Sequence, residues 1–323
     1  MEDAKKISWT KRIKNVYVII ILAVVVLLFT LLSGGRFLRI PSIINIIRVS
    51  VPTVLIASLA TLLMIAGNVD LSVGGNLGLS ATVFAILARS GVPFYLTLVI
   101  VVLLGFFLGA ANGFMVTKLK ITSVIATLAT MSLFQGIGKF LVPDGTDIIK
   151  GNMPENMNDF ARGKLFLDLP VAVYVTIAIV IIVVIFQRRT VLGKYTVAIG
   201  GNPTAARLSG INVTKMVWIV YILVGCMAAL AGVMRASYMQ AGDPDSGIGI
   251  EVDAIIAILL GGTSFYGGKG SVLKTVVAVL ILVCLEKGMN MVGMDPWWAM
   301  LVKGIVFFVA LILDNLLERK SAR

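Results

Sequence analysis

Histidine is missing from all 323 residues. That one absence removes imidazole metal sites, histidine general bases and histidine proton relays. Cysteine is nearly missing as well: Cys226 and Cys284 lie far apart, each inside an apolar run, and form neither a disulfide framework nor a CxxC site. Charge is scarce, with 14% charged residues against 59% hydrophobic ones. The mean hydropathy of +1.01 excludes a soluble globular domain. Several charge-free runs approach or pass the ~20 residues that cross a bilayer. Acids are outnumbered, 16 against 28 bases, for a net charge of +12. A basic total can point to nucleic acid, but a membrane protein keeps its Lys and Arg on the cytoplasmic side and carries such an excess anyway.

What is present is a succession of apolar segments. Their pattern predicts an all-α integral membrane protein of about ten transmembrane helices, with broken or re-entrant segments and both termini cytoplasmic. The expected spans are 16–32, 49–66, 75–89, 94–117, 121–142, 169–187, 216–240, 254–266, 272–292 and 297–314. Residues 1–15 form a basic cytoplasmic N-terminus, 16–314 the membrane domain with a cytoplasmic loop at 188–215, and 315–323 a cytoplasmic tail. The N-terminus imitates a signal peptide, but its apolar core of 17 residues outruns a cleaved one and more spans follow, so an uncleaved first helix is expected. Residues 36–48 mix arginines with aliphatics and predict a short interfacial helix.

The least lipid-like stretch is Gly67-Asn68-Val69-Asp70-Leu71-Ser72-Val73-Gly74-Gly75. Irregular, glycine-rich backbone at membrane depth is tolerated only inside protein or along a water-filled cavity. Two readings stand side by side: Asn68, Asp70, Ser72 and Asn76 lie along a pathway, or the segment is a short cytoplasmic turn with Asp70 capping the next helix. Span five is rich in hydroxyls and holds Thr127, Thr130 and Gln135, so it faces a polar cavity or bonds its own carbonyls. Gly105, Gly109 and Gly113 in span four make two overlapping GxxxG steps, a flat face for a second copy or, more commonly, for packing within one chain.

The loop 188–215 carries Arg188, Arg189, Lys194, Arg207 and Lys215 and no acid. Asn202-Pro203-Thr204 predicts a helix start with Asn202 as cap, running through Ala205 to Ser209 and stopped by Gly210. Such a helix suits docking to a soluble partner, although a loop helix without a partner is the commoner case on shape alone. With the N-terminus inside, basic loops fall in the cytoplasm and the acidic loops 143–168 and 242–253 outside. Arg36, Arg39 and Arg48 are the exception. Lys303 sits deepest in an apolar run and is expected to find a carboxylate or carbonyls, with Asp70 the preferred partner and Asp314 or Glu286 the alternatives.

Gly268-Lys269 is not a phosphate-binding loop, because Thr263 stands where the first glycine is needed and Gly270 where Ser or Thr is needed. The glycine-rich 261–271 reads instead as a flexible cytoplasmic hinge. No cluster of nucleophile, base or metal ligands suggests an enzyme.

The stretch Asn68-Val-Asp-Leu-Ser-Val-Gly74 resembles the G-G-I-D-L-S-V-G signature of bacterial ABC importer permeases for ribose and related monosaccharides. Residues 198–212 resemble that family's coupling loop. Asp253-Ala254, Leu260–Ser264, Gly267–Gly270 and Val302-Lys303-Gly304 resemble its later blocks. Asn68 stands where that family usually has glycine. The resemblance implies a multi-pass permease in the bacterial cytoplasmic membrane, not an enzyme, with no cofactor of its own. ATP and Mg would belong to a separate cytoplasmic ATPase subunit, and an extracytoplasmic solute-binding protein would deliver the solute. The second permease would be another copy or a paralogue. Asn202, Ala205, Ala206, Arg207, Leu208, Ser209 and Gly210 would then meet the ATPase. A pentose or hexose is the expected solute, with autoinducer-2 or a nucleoside as alternatives within the family. From a different class, an ion-coupled secondary transporter would want a fuller set of intramembrane acids than Asp70 and Glu286.

Overall fold

The structure, a computed structural model, describes residues 2–142, 148–150 and 154–321. In chain order the helices are α1 (Glu2–Leu32), α2 (Ile40–Ile65), α3 (Val73–Arg89), α4 (Phe94–Thr117), α5 (Ser123–Phe140), α6 (Glu155–Arg162) and α7 (Val171–Arg189). There follow α8 (Val191–Gly201), α9 (Pro203–Leu208), α10 (Val213–Met239), α11 (Ile250–Leu260), α12 (Val272–Met291) and α13 (Pro296–Ser321). Strands β1 (Ile149–Lys150) and β2 (Ala241–Gly242) form a two-residue antiparallel ladder. Proline opens several helices: Pro93, Pro154 and Pro170 stand at N-caps, and Pro41 and Pro203 within first turns, where a missing N–H is harmless.

Among the described residues four helices, α2, α4, α7 and α10, are by themselves long and apolar enough to cross a bilayer. Shorter apolar stretches occur in α1, α3 and α13. The protein is thus an all-helical, multi-pass membrane protein. Its apolar surface follows the same logic: α4 turns Leu96, Val99, Leu103 and Phe107 outward, and α7 turns Ile177, Ile181, Ile182 and Ile185 outward. In water such faces would be a liability; against lipid tails they carry no penalty.

The bundle is organised around α3 and α10. Thirteen of the 17 residues of α3 are buried, and it packs against α10, α5 and α4. Its glycines explain how a helix can be so enclosed. A methyl on Gly75 would lie 2.7 Å from the Met131 carbonyl of α5, and one on Gly78 would strike the backbone at Pro244. The GxxxG face of α4 is used inside the chain. A methyl on Gly109 would meet the Tyr221 carbonyl at 2.5 Å, and one on Gly225 would stand 2.8 Å from Gly109 Cα, so α4 and α10 touch backbone to backbone. This seam is therefore occupied by α10 and offers no dimer surface.

Two expectations are corrected. Residues 36–48 are not a separate interfacial helix: a single 3₁₀ turn at Arg36–Leu38 leads into α2, which runs unbroken from Ile40 because its aliphatic pattern continues through Arg48. Nor is 261–271 a loose hinge. Gly268 N–H donates to Ile65 O at 2.8 Å, Ser264 N–H to Lys269 O, and Phe265 N–H to Asp314 Oδ2 at 3.0 Å. Gln187 on α7 clamps the exit, accepting from Val272 N–H and donating to Gly270 O. This turn marks the same end of the bundle as α9.

Candidate functional site

The most independent element is α9. Asn202 Oδ1 accepts from the backbone N–H of Thr204 and of Ala205, each at 3.0 Å, so the expected cap is present. At the other end Gly210, with φ of +83°, donates to Arg207 O while Ile211 N–H reaches Ala206 O, closing the helix in a Schellman turn. Both ends are satisfied locally, so six residues hold a fixed shape outside the bundle. Ala206 is buried beneath the helix; Ala205, Arg207, Leu208, Ser209 and Gly210 are exposed, Leu208 at 87%. An open cavity of about 800 Å³ beside it is lined by Asn68, Lys120, Pro203, Arg207, Thr214 and Tyr266 among others. Asn68 thus faces the α9 end, its amide donating to Ala66 O.

Behind α9, the last turn of α8 holds Gly200, pressed so closely on the Ile65 carbonyl and Gly268 N–H that any side chain there would overlap main chain. Helix α8 was not foreseen. Its residues read as soluble loop because Lys194 and Tyr195 interrupt a short apolar run.

Asp70 occupies a different setting. Its Oδ1 accepts from Ser72 N–H at 2.9 Å and Ser72 Oγ at 2.6 Å, an Asx turn ahead of α3. Asn112 of α4 donates to Ser72 Oγ at 2.6 Å and stands 3.5 Å from the same carboxylate oxygen. Tyr221 Oη donates to Val69 O, Leu71 N–H to Thr127 Oγ1, and Asn76 Nδ2 to Gly225 O. Asp70, Ser72, Asn76 and Asn112 are all buried. This network ties the break at 66–72 to α4, α5 and α10 and holds it as a bonded turn ahead of α3. Thr130 bonds only carbonyls of its own helix, and Gln135, half-buried farther along α5, takes no part. Asn112 escaped notice in the sequence, although it is the lone amide in the charge-free run 94–117.

The expected pairing of Lys303 with Asp70 is wrong. Lys303 Nζ donates to Asp253 Oδ2 and to Glu286 Oε2, both at 2.9 Å, so one alternative was right and Asp253 was missed. Asp314 instead anchors the 261–271 turn. The triad joins α11, α12 and α13 on the side of the bundle away from α9, where Asp253 stands three residues inside α11 and Lys303 seven inside α13. It lines a cavity of about 460 Å³ whose other walls include Ile256, Asn290, Met300 and Phe307. Lys287 stands 3.6 Å from Glu286 Oε1, so two lysines balance the two carboxylates, whose remaining lone pairs can accept from hydroxyls.

Residues 42–311 match the family described as the branched-chain amino acid transport system / permease component. The ribose import permease protein RbsC of Bacillus subtilis is 36% identical over 93% of this chain and 92% of its own length. The D-allose transport system permease protein AlsC of Escherichia coli is 35% identical over 93% and 91%. The xylose transport system permease protein XylH of the same organism is 31% identical over 95% and 94%. No solved structure gives a significant match.

Proposed function

The chain belongs to the branched-chain amino acid transport system permease component family, and on that footing we propose that it is the membrane permease of an ATP-driven importer for a monosaccharide. It is a transport component and not an enzyme. Relatives named for ribose, allose and xylose support a pentose or hexose as the solute. The observation that carries the mechanism is α9: a capped helix with a presented face, resting on α8, which abuts the ends of α2 and of the 261–271 turn. A rigid element of that kind passes an external push into the bundle.

The α9 end faces the cytoplasm in this reading, the long apolar helices cross the bilayer, and both termini lie inside. A cytoplasmic ATPase docks on Asn202, Ala205, Arg207, Leu208, Ser209 and Gly210 and supplies the ATP and Mg chemistry, while a binding protein delivers the solute from outside. The membrane is the bacterial cytoplasmic membrane, and a second permease, identical or paralogous, completes the core. Charges between helices do not face lipid; they face water or another subunit. The Lys303–Asp253–Glu286 cavity is therefore the stretch of pathway wall that accepts sugar hydroxyls, and Asn68 stands at the cytoplasmic mouth. Asp70 holds the break at 66–72 in shape.

The test is reconstitution. In vesicles, the chain with its ATPase and binding protein should accumulate labelled pentose or hexose on ATP addition. The chain alone should neither hydrolyse ATP nor concentrate sugar on an ion gradient. Gradient-driven accumulation by the chain alone would replace this reading with ion-coupled transport, for which the two carboxylates at Lys303 would be the obvious site.

A further inference from the structure

At the end of the bundle away from α9, two arginines share a small cavity. Arg48 of α2 and Arg235 of α10 line it with Val49, Pro52, Ala172 and Tyr238. The Nε of each guanidinium is buried and has no hydrogen-bond partner. Arg48 donates from its fork to Asn45 Oδ1 and stacks on Tyr238 with 4.4 Å to the ring centroid. Arg162 approaches the other part of that ring at 5.7 Å and donates to Tyr238 O. Among the described residues, none of the ion pairs includes Arg48, Arg162 or Arg235.

Two guanidiniums over one ring and a third lining the same cavity, with no counter-charge paired to them among the described residues, make an arrangement that repels itself. A buried guanidinium N–H left unmade costs on the order of 1–3 kcal/mol or more. An anion cancels both terms, and paired arginines in fork geometry select a planar or tetrahedral oxyanion. The cavity is about 30 Å³, room for roughly two oxygen-sized groups. Arg48 also lines an adjoining open groove of about 620 Å³ with Pro41, Ser42, Asn45, Lys287 and Met291. Two oxygens of a phosphate fit the inner cavity while its substituent stands in the groove, beside an apolar wall and Lys287, which is ion-paired with Glu286 at 3.6 Å.

We propose that Arg48 and Arg235 form a phosphate-binding site at the end of the bundle away from α9, filled by the phosphate of a lipid headgroup or by free phosphate. Depth favours access from the membrane surface. Arg235 lies four residues from the end of α10 and Arg48 eight from the start of α2, about 6 and 12 Å along the helices. The site also accounts for Arg48 as an exception to the expected charge sidedness: its charge is matched by a ligand.

The test is native mass spectrometry of the purified full chain offered phosphatidylglycerol, dioleoylglycerol (the same tails without phosphate) or inorganic phosphate. Wild type should retain one phosphatidylglycerol at least tenfold better than dioleoylglycerol, and R48Q/R235Q should lose that preference. R39Q, an exposed arginine at the same end, should not change it. Retention of inorganic phosphate by wild type and its loss in R48Q/R235Q would assign the same site to a soluble source. If R48Q/R235Q is not monodisperse, R48K takes its place, keeping charge without the fork, with retention expected to drop severalfold. Equal retention by wild type and variants, or equal retention of dioleoylglycerol, overturns the proposal. So does a variant that keeps the lipid but loses affinity for a soluble acidic protein, which would make the arginines a protein-docking surface.

Discussion

Replacing Lys303 by Met tests the charge triad most directly. Two oxygens each 2.9 Å from one nitrogen stand at most about 5.8 Å apart. Without the lysine, two carboxylates at that separation repel by about 3 kcal/mol at an effective dielectric of ~20. Asp253 and Glu286 are 28% and 33% exposed, so water screens part of this, and a loss of about 1–3 kcal/mol is expected. Unfolding of the purified chain in detergent can be followed with a thiol-reactive dye, since Cys284 is buried and Cys226 half-buried in the native state. Lys303→Met should lower the midpoint by several degrees. Adding Asp253→Asn and Glu286→Gln removes the repulsion and should recover part of the loss; Lys287, 3.6 Å from Glu286 in the native chain and 26% exposed, then loses its partner but keeps access to water. The reasoning is refuted if the single variant melts with wild type, or if the triple variant melts no higher than the single one. Uptake separates stability from transport: the triple variant, stable but without its acceptors, should still import sugar poorly.

Loss of the α9 cap in Asn202→Ala removes two 3.0 Å hydrogen bonds, worth about 1 kcal/mol. Affinity for the ATPase, measured by titration, should fall roughly fivefold with the bundle's melting midpoint unmoved, and Asn202→Asp should restore it; a lowered midpoint would contradict a local role. A methyl at Gly225 would meet Gly109 Cα and N at 2.8 and 2.9 Å, so Gly225→Ala should cost about 1–3 kcal/mol by thermal unfolding. Gly136→Ala, with nothing within 4 Å, should instead match wild type or gain up to about 1 kcal/mol.

Periodic and local features were readable in the sequence. Apolar runs located the long helices, and Asn202-Pro203 with Gly210 located α9, because caps and stops act over three or four residues. The glycine spacing announced the α4 seam but not its partner. Pairings across the bundle were not legible. Lys303 meets Asp253 fifty residues away, and nothing in the order of residues distinguishes that acid from Asp70. The 261–271 turn misled for a related reason: glycine permits mobility, but it equally permits backbones to touch, and here touching wins. Composition likewise hid the role of Asp70, whose partners come from α4 and its own turn.

The meeting point of Gly200, Ile65 and Gly268 has a consequence for how smoothly such a machine can run. Main chain against main chain has no rotamers, so the contact cannot yield gradually; it is seated or it is broken. Gly268 N–H bonds Ile65 O at 2.8 Å beneath that contact, so a displacement of α8 at Gly200 meets the end of α2 and the 261–271 turn as one joined surface.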